Sequence, residues 1–145
     1  MKKVLMVLIL GFVLTAAYAQ TDNLLKQGMP NTTMLSNGEV VYDLNGEWAV
    51  SVEHYGPWAQ YGVVPDIMEI KQEGASVVGV TLLGSPRSPK GSEKLKGELE
   101  KNGFEKVHTI TGAGPIELKG EILNNGNRMI LDDGTKIRMM LIRRK

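Results

Sequence analysis

The chain has 145 residues, a formal net charge of +1 and no cysteine, and 42% of it is hydrophobic, enough to bury a real core. Lys2 and Lys3 precede an apolar leader, so the rest carries fifteen basic against sixteen acidic residues, a balance that argues against nucleic acid or an anionic membrane as partner. Without cysteine there is no thiol catalysis and no disulfide. With only two histidines there is little scope for a metal site, and no cofactor is expected.

Two lysines, an apolar run over residues 4–14 and then Ala17-Tyr18-Ala19 have the layout of a secretory signal peptide with a small-x-small cleavage site. The run is short for a spanning helix, which needs about twenty residues. Cleavage between Ala19 and Gln20 is expected, giving an exported product, periplasmic or secreted, with no membrane partner afterwards. Residues 20–45 form a polar lead-in. Asp22 is placed to cap one helical turn ending at Gly28, and residues 30–33 and 36–39 read as turns.

From Asn45 onward, short alternating runs recur between Gly, Asn, Asp and Pro clusters, the rhythm of an all-β domain over residues 46–145. The first run, residues 46–53, puts Trp48, Val50 and Val52 on one face, and Trp48 is expected in the core. The second, residues 66–72, puts Met68 and Ile70 opposite Glu69 and Lys71. Further runs span residues 76–83, 94–100, 104–111 and 116–123. A final hairpin pairs residues 128–131 with 136–143 across Asp132-Asp133-Gly134-Thr135. Asn102-Gly103, Asn125-Gly126 and Asp133-Gly134 are strong hairpin signals. The expectation is eight strands in up-and-down order.

Lys94-Leu95-Lys96-Gly97-Glu98-Leu99 and Glu117-Leu118-Lys119-Gly120-Glu121-Ile122 repeat a Leu-Lys-Gly-Glu-Leu/Ile core, and Val77-Val78-Gly79-Val80 is a looser third copy. Glycine on a core-facing stripe suits strands that coil sharply to close a small barrel. Closure also removes exposed sheet edges, which favours a barrel over an open sandwich. The interior stays ambiguous: inward Gly79, Gly97 and Gly120 leave room for a ligand, whereas Met68, Ile70, Leu95, Leu99, Leu118 and Ile122 tend to fill it.

Gly46-Glu47-Trp48 at the head of the first strand, followed by a meander, resembles the Gly-x-Trp opening of the lipocalin and calycin superfamily. The resemblance covers residues 45–145 and implies an eight-stranded antiparallel barrel, lipocalin-like or avidin-like. It also implies that Trp48 closes one end beneath a basic side chain of a late strand, Arg143 or Arg144. The Thr-Asp-Tyr element and C-terminal helix of typical lipocalins are absent, which favours a compact relative.

The most suggestive stretch for function is residues 54–62, which bring His54, Tyr55, Trp58 and Tyr61 onto a Gly/Pro loop. Aromatics there suit a binding mouth or, equally, a lid plugging the core. His54 and Glu53 point to opposite faces of a strand and form no dyad. His108 has no catalytic constellation around it, and turn chemistry accounts for residues 132–135. The last strand is apolar on both faces, and an outward Met140 and Ile142 call for cover by the Leu24-Leu25 lead-in or by a second subunit. The expected function is non-enzymatic: binding of a small apolar or amphipathic molecule. The alternative is a protein-interaction module, such as an inhibitor of an exported hydrolase, with a side-chain-filled barrel.

Overall fold

The computed structural model describes residues 31–101 and 103–145; the signal peptide and the helical turn expected at residues 22–28 lie outside them. Ten strands follow in chain order. A short hairpin, β1 (Thr32–Met34) and β2 (Val40–Tyr42), precedes β3 (Gly46–His54), a 3-10 helix (Gly56–Tyr61), β4 (Val63–Glu73) and β5 (Ser76–Thr81). Then come β6 (Glu93–Glu98), β7 (Gly103–Thr111), β8 (Gly114–Leu123), β9 (Arg128–Asp132) and β10 (Ile137–Arg143). From β3 to β10 each strand pairs antiparallel with the next, and β10 closes back on β3. The eight strands and their meander order agree with the alternation in the sequence.

The β1–β2 hairpin was not expected, since residues 30–33 read as a turn. Three paired residues per strand make a weak local signal. The hairpin owes its place to tertiary packing: Leu35 and Tyr42 lie against the core, and Val41 is buried in it.

Strand alternation sends one stripe inward from each strand, including Trp48 and Val50, Met68 and Ile70, Leu118 and Ile122, and Met139 and Leu141, all buried. The inward glycines do not leave a hollow. A Cβ on Gly79 would run into the Met68 sulfur, and one on Gly120 into the Leu131 side chain. On Gly97 it would lie 2.8 Å from Val107 Cγ2. Large neighbours thus lie flat over the glycines, and this part of the barrel is packed solid. Two bulges adjust the pattern. One, between Phe104 and Val107, lets both residues face inward although their spacing is odd; the other, after Gly79, leaves Lys94 unpaired on β6.

One end of the barrel is sealed. Trp48 is fully buried, and its indole N–H donates to the Leu44 carbonyl at 2.9 Å. Arg143 lies with its guanidinium carbon 4.6 Å from the Trp48 ring and donates to the carbonyls of Asp43, Asn45 and Gly126. Burial lowers the pKa of this guanidinium, with the nearby Asp43 charge opposing. Gly46 beside that fork has a φ of +124°, a backbone conformation that favours glycine. Gln72 ties the crossing segment to β4 through Leu44 N–H and the Tyr42 carbonyl.

Candidate functional site

The opposite end carries the loops of residues 55–62, 82–92, 112–113 and 133–136. There the barrel opens into a cup of about 360 Å3. Val52, Met68, Ile137 and Met139 supply apolar lining, while His54, Asp66, Thr81, Lys94 and Thr109 bring polar groups, and Arg87 and Ser88 reach in from the longest loop. The lining thus interleaves apolar side chains with hydrogen-bonding and charged ones.

Asp66 reaches the cup because it shares the inward stripe of β4 with Met68 and Ile70, opposite Val50. Its Oδ1 accepts from the Thr81 hydroxyl at 2.7 Å and from the Ile67 N–H at 2.8 Å. Thr81 Oγ1 in turn accepts the Gly84 N–H at 3.2 Å, so the same chain anchors the start of the 82–92 loop. Lys94 arrives through the β6 bulge and donates to the Ile110 carbonyl at 3.1 Å. His54 Nδ1 lies 2.9 Å from the Gly62 carbonyl. A carbonyl only accepts, so Nδ1 carries the proton and neutral His54 keeps Nε2 as an acceptor.

The four aromatic-loop residues separate. His54 lines the cup; Tyr55, Trp58 and Tyr61 are not among its lining residues. Tyr55 turns to the β9–β10 hairpin, where its hydroxyl donates to Asp132 and Arg138 lies 5.9 Å from its ring. Burial, then the Asp132 hydrogen bond and the charges of Asp132 and Asp133, push the Tyr55 phenol up to about 12. Trp58, Tyr61 and His54 form a cluster with ring centroids 5.7–6.2 Å apart, Tyr61 meeting the other two edge-on, with Lys136 Nζ 5.6 Å from the Trp58 ring. The loop's aromatics do not plug the core: Trp58 is half-buried, and Tyr61 is 56% exposed at the rim.

The Asp132-Asp133-Gly134-Thr135 turn uses its carboxylates internally. Asp133 Oδ1 accepts the N–H groups of Thr135, Lys136 and Ile137, and Oδ2 accepts the Thr135 hydroxyl. Burial works against ionisation here, but those donors outweigh it and hold the carboxyl at about 2. Asp132 is also lowered: burial opposes, while donation from Tyr55, the Gly134 N–H and Arg138 prevails. Among the described residues, no group of three His, Asp or Glu is placed to hold a metal ion.

His108 sits on the outer wall, 3.8 Å from Glu117, away from the cup. Two further depressions, of about 440 and 560 Å3, lie on the outside of the barrel and are lined largely by charged side chains such as Lys96, Glu98, Lys119 and Arg138. They are larger, but unlike them the cup combines apolar lining with access to the barrel axis. On β10, Met140 is half-buried and Ile142 is 51% exposed on the outer face, as the alternation implies.

Alternation alone reveals Asp66, a carboxylate on the Met68–Ile70 stripe. Lys94 leaves no such signal, because a bulge re-aims it. Compared with known proteins, the chain matches no family profile, no curated protein and no solved structure.

Proposed function

We propose that this is an exported, non-enzymatic binding protein that takes a small apolar or amphipathic molecule into the open end of a lipocalin-like barrel. The observation that carries the reading is the division of the barrel. One end is packed solid under Trp48 and Arg143, and the other opens as a cup of about 360 Å3 with an apolar lining. A volume near the lower limit for ligand pockets favours a short or slender molecule. Kinship with the lipocalin and calycin barrels belongs to this reading, and the Arg143 stack on Trp48 beneath the Gly46 turn supports it. Export after cleavage at Ala19 rests on the leader's layout.

A protein-interaction module is the second reading. Tyr61, Val63, Val64 and Leu83 are exposed apolar side chains around the same mouth, and such a cluster favours a protein partner. A dimer through the outer face of β10, around Ile142, is a further form of it.

Native mass spectrometry of the protein from its own exported fraction, set against the denatured mass, tests the first reading. The expected result is extra mass that is lost on denaturation and is absent from Val52→Trp, whose indole fills the cup. A bare protein that still binds a partner through the Tyr61–Leu83 rim would replace it with the second reading, and a bare dimer would point to β10.

A further inference from the structure

We infer that the cup recognises its ligand through a protonated amine received by Asp66, an inference that rests on the binding reading above. Asp66 is half-buried in the cup, between Val64 and Met68 and opposite Val50. It is hydrogen-bonded on one side only: Oδ1 takes the Thr81 hydroxyl and the Ile67 N–H, both neutral donors. No ion pair to Asp66 occurs among the described residues.

Two of the basic groups that line the cup with it are held by backbone carbonyls. Lys94 donates to the Ile110 carbonyl and His54 to the Gly62 carbonyl. Arg87 brings its Cδ near Gly112, and its guanidinium makes no ion pair with Asp66 among the described residues. Oδ2 of Asp66 therefore has no protein partner among the described residues, and the side chain lines the cavity. Two hydrogen bonds fix the carboxylate in advance, so a cationic donor meets an acceptor that needs no reordering. Met68 and Met139 beside it offer adaptable apolar contact for the rest of the molecule. The ligand class is accordingly a primary or secondary amine on a short apolar body.

Anchoring the 82–92 loop through Thr81 is the competing role for Asp66, and asparagine performs it equally well through its own Oδ1. The Asp66→Asn variant thus separates the two roles. Octylamine, 1-octanol and octanoate share one tail length, and each is titrated calorimetrically into wild type and Asp66→Asn at neutral pH and low salt. Octylamine is expected to bind wild type about ten-fold or more tighter than octanol, the scale of a charged hydrogen bond. In Asp66→Asn the two should agree within about two-fold, with the thermal midpoint little changed. Should the variant fail to fold, the wild-type ranking decides, with Lys94→Gln expected to keep the amine preference. Equal binding of all three, or tightest binding of octanoate at Lys94 and Arg87, overturns the amine inference and leaves the cup as a binding site. Binding of none overturns both.

Discussion

The two ends of the barrel solve the same problem in opposite ways. At the sealed end, an indole and a guanidinium stack, and four carbonyls accept from them: Leu44 from Trp48, and Asp43, Asn45 and Gly126 from Arg143. At the open end, the inward stripe carries Asp66, Thr81 and Thr109, and their hydrogen bonds run to neighbouring strands and loops without filling the axis. Apolar packing and hydrogen bonding are densest at the sealed end, and open volume is left at the other. The contrast also accounts for the glycines. Gly97 and Gly120 let strands and large side chains approach one another, so they serve packing and add no binding volume.

Substitutions at the sealed end should cost most. Trp48→Ala removes a fully buried indole and leaves the Leu44 carbonyl without its donor. A loss of about 3–5 kcal/mol is expected by urea denaturation. A loss below about 1 kcal/mol would mean that the sealed end is not the stability centre.

Arg143→Ala follows, with an expected cost of about 2–3 kcal/mol, because three carbonyls lose their shared donor and the Trp48 face its cover. Arg143→Lys should recover less than half, since an ammonium is a point donor and not a planar fork. Equal stability of the Lys variant and wild type would show that only the charge matters.

Gly97→Ala tests the packing role of the glycines. A methyl 2.8 Å from Val107 Cγ2 and 3.0 Å from its backbone forces the β6–β7 pair apart. The expected cost is about 1–3 kcal/mol. Thr109→Ala, at the cup, should cost about 1 kcal/mol or less. Reversal of that order would erase the difference between packed glycines and open cup.

The smallest effect belongs to the β9–β10 turn and appears as a pH dependence. The Asp133 carboxyl is held at about 2, below the ordinary aspartate value, by three N–H donors and the Thr135 hydroxyl. A depressed folded pKa contributes stability in full above the unfolded value of about 3.9, and loses it as pH falls towards the folded one. Asp133→Asn should therefore flatten the thermal midpoint between about pH 4 and 2 and cost about 1 kcal/mol at neutral pH. An unchanged acid limb would mean that the turn does not hold its carboxylate this way.

Much of the fold was legible because a strand's period is two and the inner face of a small barrel must be apolar. Trp48, Val50, Met68, Ile70, Leu118 and Ile122 could be placed inward before any coordinates. The Asn125-Gly126 and Asp133-Gly134 turns marked two of the reversals. The site was less legible. Aromatic density pointed to residues 54–62, yet only His54 lines the cup, because Tyr55 is drawn outward by Asp132 and Arg138. Asp66 could have been found as the charge that breaks an apolar stripe.

Alternation and turn residues by themselves determined the eight barrel strands and the facing of most of their residues, since both are read from a local chain segment. Tertiary structure alone decided which end is open. Whether the inward glycines leave space depends on side chains from other strands, such as Met68 over Gly79 and Leu131 over Gly120. Likewise, Lys94 enters the cup only through a bulge, a register shift between two strands that neither segment encodes by itself.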